Sequence, residues 1–423
     1  MRRPSKDSPK LSAESQRLVS ISQAIVQAAS RVEERTWERN LDTQLQKLLK
    51  TNHQDNIDAA LNVLFKADLA AYDVLMDCVE AVSESSCMTE QADGAETTWQ
   101  ALLVAAPVLA WTRFAIASGT VPGDVLGTLG AHFSAHLLAE GAELAIAPTL
   151  YSIDQLPRTH AETYALTHKL AQAAHLSGNK NGGKGGNVKP APPGPDTSQF
   201  LADTRYLLAA VVAPQGAPLF RWQEPQHQVN FEAVREAALE QWRAQAGPSI
   251  ARLLPGCGVE LLLPEAYYVA CREADKLIRP VSIRAAVHYL THTLSVEPGD
   301  LRAVVAGFGD EANDNQVDEY RVGFTLRQQS EVVYGIVWPL YGQEDEEGTP
   351  MEGPVPGDRP MAPIDEIVKH LNDVGITHVK RIGERYVAEY CDDCGAPLFA
   401  DPSGELVHAE MPEDAPAGSE HFH

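Results

Sequence analysis

Near its C-terminal end the chain carries Cys391-Asp-Asp-Cys394-Gly-Ala-Pro, then His408-Ala-Glu410, then His421-Phe-His423. Two cysteines two residues apart bring both thiolates within reach of one ion, and the histidines add neutral imidazoles. Such donors, at about 2.0–2.3 Å from the ion, suit zinc better than the oxygen-seeking magnesium or calcium. The expected ligands are Cys391, Cys394 and His408, with His421 or His423 as the fourth. Gly395 supplies the turn that leaves backbone N–H groups pointing at the thiolates, and Pro402-Ser-Gly404 marks a hairpin before His408. A closed set of this kind stabilises a tail with little core of its own, so the ion is read as a structural Zn2+. His408-Ala-Glu410 also matches the His-x-Glu element of zinc deaminases. Its order relative to the cysteine pair is reversed, however, and Met411-Pro412 prevents the helix that chemistry needs.

A second constellation is Tyr267-Tyr268-Val-Ala-Cys-Arg272-Glu273-Ala-Asp275. It gathers aromatic and charged groups just past an expected strand end, where open α/β sheets bind ligands. Tyr268, Arg272, Glu273 and Asp275 are therefore candidates to line a cleft, although an ordinary surface ion-pair cluster explains the same residues. His132 with His136, and His288 with His292, place paired imidazoles on one helical face, a geometry a metal can use. No glutamate follows the first histidine, so the metalloprotease pattern is absent. Gly178 to Gly185 imitates a phosphate-binding loop, but Gly185 stands where a Ser or Thr should hold magnesium, and the segment reads as linker. Gly307-Phe-Gly309 imitates a dinucleotide fingerprint but leads into another strand instead of a helix, and reads as a turn. Cys78, Cys87, Cys257 and Cys271 have no evident base nearby and read as inert thiols. No Gly-x-Ser-x-Gly elbow is present.

The elements that must position these residues follow from periodicity. Leu18, Ile21, Ile25 and Val32, then Leu41, Leu45 and Leu48, then Ile57, Leu61 and Leu64, then Leu75, Val79 and Val82 recur at spacings of three and four. They predict three or four amphipathic helices over residues 11–90. Leu102 to Phe114 is a continuous apolar run, as in a buried strand. Val121 to Leu138 and Thr159 to His175 have helical spacing around an apolar segment at Ala142 to Ile153. Residues 177 to 196 are rich in Gly, Lys, Asn and Pro and read as a flexible linker. The same order then returns: Tyr206 to Trp222 as strand, Phe231 to Leu254 as helix, Val259 to Ala270 as strand and Val281 to Leu294 as helix. Gly141-Ala-Glu-Leu-Ala-Ile-Ala-Pro148-Thr-Leu-Tyr151 aligns with Gly258-Val-Glu-Leu-Leu-Leu-Pro264-Glu-Ala-Tyr267 with one gap, which suggests an internal duplication. Strands at Leu301 to Gly307, Val317 to Arg327 and Val332 to Leu340, a short helix at Pro363 to Val374, and the tail complete the chain.

The expected fold class is α+β or α/β: a helical N-terminal segment, two related α/β units and a small zinc-knuckle tail. The divisions fall at 1–95 (helical segment), 96–176 (first unit), 177–197 (linker), 198–345 (second unit) and 346–423 (acidic loop, short helix and tail). The 423 residues exceed what one core usually serves. With Lys+Arg 34 against Asp+Glu 58, the net charge of −24 repels phosphate backbones and argues against nucleic acid as a partner. The start is charged and lacks the apolar stretch of a secretory signal, and the apolar run at 101–119 is broken by Pro107 and Arg113, against a membrane span. A cytoplasmic location is expected.

The order of several segments is similar to that of an uncharacterised bacterial domain family of unknown function whose members are about this long. The matching segments are Met1-Arg-Arg-Pro4, Ala105-Ala-Pro-Val108 with Ala110-Trp-Thr112, Ser152-Ile-Asp-Gln155, Leu219-Phe-Arg-Trp-Gln223, Leu254-Pro-Gly-Cys-Gly258, Val317-Asp-Glu-Tyr-Arg-Val322, Trp338-Pro-Leu-Tyr-Gly342, Cys391-Asp-Asp-Cys-Gly395 and His421-Phe-His423. The resemblance implies a cytoplasmic bacterial protein and no particular activity. A metal motif without a full catalytic set predicts an interaction or regulatory protein that binds an unidentified protein partner. The alternative is an enzyme acting on a small metabolite in a cleft between the two α/β units.

Overall fold

The computed structural model describes residues 11–92, 95–178, 189–192, 201–309, 317–341 and 361–412. Four helices come first: α1 (Ala13–Val26), α2 (Arg31–Lys50), α3 (Gln54–Ala67) and α4 (Leu69–Glu84). Ser12, Ser30 and Asp68 cap α1, α2 and α4 by accepting a backbone N–H three residues on. Leu18, Leu41, Leu45, Ile57, Leu64, Leu75 and Val79 are buried in one shared core. Each such side chain contributes roughly 1.5–3 kcal/mol. The expected helical spacing is met, except that Val32 does not continue the α1 stripe but lies exposed in the first turn of α2, and that residues 85–90 form strand instead of helix.

The first sheet contains β1 (Ser85–Ala92), β2 (Ala95–Trp111), β3 (Gly119–Thr120), β4 (Glu143–Ser152), β5 (Ala202–Pro214), β6 (Gly258–Leu261) and β7 (Glu265–Ala266). Its order is β1-β2-β5-β4-β3, with β6 and β7 pairing the second half of β2 on the β1 side. Helices α5 (Gly123–His136) and α7 (Phe231–Leu253) cover one face, where Phe133 and Trp242 meet edge to face. On the other face lie α6 (His160–Gly178) and the first half of α8 (Tyr267–Leu294).

The two related α/β units expected from the sequence contribute strands to one sheet. β5, the first strand after the expected linker, lies between β2 and β4 and pairs β2 from Trp99↔Pro214 to Trp111↔Ala202. The two segments therefore share one antiparallel sheet, and the expected boundary falls between two strands of it. A continuous ladder of backbone hydrogen bonds occupies the line along which the two units were expected to face each other.

The second sheet contains β8 (Leu301–Gly309), β9 (Glu319–Leu326), β10 (Val332–Pro339) and β11 (Val379–Val387), ordered β10-β9-β8-β11. Helix α9 (Pro363–Asp373) makes the crossover that lets β11 lie parallel to β8. The second half of α8 and α9 bury Ile283, Val287, Leu290, Ile367 and Leu371 against one face. Pro280 lies in the middle of α8 and cannot donate to the Lys276 carbonyl, which instead accepts from Arg279 Nε at 3.4 Å. Among the described residues, no helix is long and apolar enough to cross a membrane.

Candidate metal centre

The opposite face of the second sheet is covered by residues 388–412, which contain the short hairpin β12 (Phe399–Ala400) and β13 (Leu406–Val407). Phe399, Ala400, Val407 and Ala409 pack against Val304, Ala306, Phe308 and Val332. Phe399 lies against Gly335 of β10, where an added Cβ would be 2.3 Å from the ring. The sheet thus provides a slot that any larger residue would fill. The carboxylate of Asp401 accepts the backbone N–H groups of Ser403, Gly404 and Glu405, which fixes the turn expected from Pro402-Ser-Gly404.

The cysteines lie on a narrow loop beside this hairpin. Cys391 N donates to Ala396 O at 2.8 Å, Gly395 N donates to Cys391 O at 2.8 Å, and Leu398 N donates to Glu389 O at 3.1 Å. Gly395 has φ +73°, the left-handed conformation the turn demands and glycine adopts without strain. Backbone N–H groups of Cys394 and Asp393 point at the Cys391 sulfur and, with the Cys394 thiol, hold the Cys391 pKa below its ordinary value. A thiol so placed is readily converted to the thiolate that binds metal.

His408 follows β13 and turns Nε2 towards Cys394 Sγ at 3.2 Å, while its Nδ1 lies 3.3 Å from Glu410 Oε1. Among the described residues, Cys391, Cys394 and His408 are the group whose ligand atoms all lie within 4.8 Å of one another. These three residues could hold a metal ion. His421 and His423 lie outside the described residues.

Arg321, on β9, escaped the sequence reading. It is 1% exposed. Its Nε donates to Glu319 Oε1 at 2.7 Å, and its Nη1 donates to both Glu389 O and Leu398 O at 2.7 Å. The guanidinium lies between the rings of Phe308 and Tyr390, 4.3 and 5.0 Å from their centroids. The one available sign was an acid and an arginine two apart on an apolar strand, which places both on the same face.

The four expected cleft residues do not share one lining. They lie just past a strand end, as expected, on the first turns of α8, which follows β7 directly; the expected strand Val259–Ala270 divides into β6, β7 and the start of that helix. Tyr268 N donates to Glu84 Oε2 at 3.1 Å and Tyr268 Oη donates to Thr163 Oγ1 at 3.1 Å. Arg272 Nη1 reaches both carboxylate oxygens of Glu80 at 2.7 Å. These contacts join α8 to α4 and α6. Asp275 lies on the sheet side, where Tyr206 Oη donates to it at 3.5 Å, and burial pushes its pKa up to about 6. Glu273 is exposed. Glu84 accepts at the N-terminus of α8, yet burial raises its pKa to about 7 against the backbone donors that favour the carboxylate. A shallow depression of about 370 Å³ lies nearby, beside Tyr151, Gln155, Pro157 and Leu166, and none of the four lines it.

The paired histidines stack as i, i+4 neighbours, with ring centroids 6.0 Å apart for His132–His136 and 6.4 Å for His288–His292. Neither pair gains a third ligand among the described residues. Burial raises the thiol of Cys271 to about 12 and that of Cys78 to about 11, which disfavours the reactive thiolate in both. Most of the glycine-rich segment, and residues 310–316 after Gly309, lie outside the described residues.

Fold and site together define a mixed helix-and-sheet protein with a Cys/Cys/His group on a small C-terminal cap. The chain belongs to the family described as protein of unknown function (DUF2863), whose model matches residues 3–422. No curated protein and no solved structure matches it.

Proposed function

We propose that this is a bacterial, cytoplasmic interaction or regulatory protein whose C-terminal cap is fixed over the second sheet by structural zinc. The observation that carries the reading is the convergence of the Cys391, Cys394 and His408 ligand atoms within 4.8 Å on a segment with few buried side chains of its own. Two sulfur donors and one imidazole favour zinc over oxygen-seeking ions. His421 or His423 completes a tetrahedral set. Zinc here neutralises the thiolates and holds the loop to the end of β13. The protein binds its partner through the surface so ordered, where Tyr390 and Val387 are exposed. The engagement of Tyr268 and Arg272 between helices favours this reading over catalysis in a cleft.

The internal duplication is supported by the topology. β2-α5-β4-α6 and β5-α7-β6/β7-α8 run in the same order, and each unit lends its later strand to the other's first strand. α5 and α7 share one face, while α6 and α8 share the other.

The test is metal analysis of the purified full chain, combined with co-purification from the native cell at matched abundance. The expected result is one zinc per chain, lost in Cys391→Ser/Cys394→Ser together with a discrete partner. Metal-free wild-type protein would refute the zinc reading. A partner retained by the variant would move the binding surface to the first sheet and its helices.

A further inference from the structure

Within that zinc reading, we infer that Arg321 is a positioning residue of the metal site: its guanidinium closes the neck of the cysteine loop and presets the ligands before the ion arrives. The cysteines and His408 are on different segments that come together beside this neck, where His408 Nε2 lies 3.2 Å from Cys394 Sγ. Glu389 precedes Cys391 by two residues and Leu398 follows Cys394 by four. Arg321 Nη1 donates to both of their carbonyls at 2.7 Å. Phe399 pairs with Val407 in the hairpin, so Leu398 and His408 are the next residues outward from that pair. One nitrogen therefore grips the loop where its two arms and the histidine-bearing strand come together.

The grip itself is fixed. Arg321 is on a central strand, is 1% exposed, is held at Nε by Glu319 at 2.7 Å, and is stacked between Phe308 and Tyr390. A planar guanidinium can stack and donate in its plane at once, whereas an ammonium cannot do both. Ordering the loop in advance lowers the conformational entropy that metal binding must overcome, so the effect should appear in affinity. Arg321 donates hydrogen bonds and is not a ligand. Its removal should leave the coordination sphere unchanged once the site is filled.

The test uses the full chain with zinc and cobalt as probes. Zinc affinity is measured by competition with a chromophoric chelator for wild type, Arg321→Met and Arg321→Lys, and the cobalt absorption spectrum is recorded at saturation. Partners that orient metal ligands typically change affinity by 10–100-fold. Arg321→Met should weaken zinc binding at least tenfold with an unaltered saturated cobalt spectrum, and the zinc-induced rise in melting temperature should shrink. Arg321→Lys, which keeps the charge, should fall between the two and serves if the methionine variant does not fold. Equal zinc affinity in wild type and variants, with melting temperatures lowered by the same amount with and without zinc, would make Arg321 a purely structural residue and overturn the inference. Failure of wild type itself to take up zinc would instead refute the metal reading on which it rests.

Discussion

Each sheet buries one arginine two residues after an acid, and the two are used differently. In the first sheet Arg205, on β5, pairs with Asp203 and donates to Ala117 O at 2.9 Å and Ile116 O at 2.6 Å. In the second, Arg321 pairs with Glu319 and donates to the carbonyls of Glu389 and Leu398. Both hold the backbone of an irregular segment by donating to two of its carbonyls. The segment held by Arg205 also sends Ile116 and Val121 into the large core beneath α5 and α7. The cap held by Arg321 buries little against its sheet: Phe399, Ala400 and Ala409 in two small clusters, and Met411 at the edge of the larger core. Where apolar side chains suffice, an arginine completes the closure. Where they do not, cysteines and a histidine stand beside it.

The contrast makes Arg205 the stricter control. Arg205→Met removes the ion pair with Asp203 and the hydrogen bonds to the Ile116 and Ala117 carbonyls, and should cost about 3–5 kcal/mol, the usual penalty for breaking a buried pair. Chemical denaturation should give the same loss with and without a chelator; a loss that grows on chelation would merge the two clamps into one system. Gly335→Ala comes next. Its Cβ would lie 2.3 Å from the Phe399 ring, and overpacking of this kind costs about 1–3 kcal/mol. Adding Phe399→Ala should cancel most of that increment in a double-mutant cycle, and strict additivity would show that the cap does not depend on this slot.

The mildest expected effect concerns the first sheet's side of α8 and depends on pH. Burial raises the Glu84 carboxyl from an ordinary value of 4.5 to about 7. Between those values the folded protein binds a proton that the unfolded chain has released. The contribution to stability is therefore complete below about pH 4.5 and is lost as pH rises through about 7. Glu84→Gln keeps an acceptor for Tyr268 N–H and removes the charge. It should raise stability at pH 8 by about 1–2 kcal/mol and flatten this part of the pH profile. Unchanged pH dependence would assign the proton to another group.

The metal group was legible because its chemistry is local: Cys391, Cys394 and Gly395 define a turn by spacing alone, and His408 follows a recognisable hairpin. The helices of the N-terminal bundle were legible for the same reason. Residues 85–92 were not. Ser-Ser-Cys-Met-Thr-Glu-Gln-Ala has little strand character and is strand because β2 offers it a full ladder. The insertion of β5 between β2 and β4 is likewise set by long-range pairings, roughly 90–115 residues apart with β2 and roughly 50–70 with β4. The start of α8 was hidden in an apolar run, because the carboxylate at its N-terminus comes from Glu84, 184 residues earlier than the amide it accepts. Arg205 and Arg321 look like surface charges in sequence, since only their partners in space make burial tolerable.

Helix α8 runs 28 residues, about 42 Å at 1.5 Å per residue. Its first half lies in the core of one sheet and its second half in the core of the other. A gene fragment ending after Leu294 would display Ile283, Val287 and Leu290 to water, and one beginning at Leu301 would lack the helix that covers its sheet. A cut between the halves would therefore strand an apolar stripe in either product, so neither sheet is a ready-made module on its own.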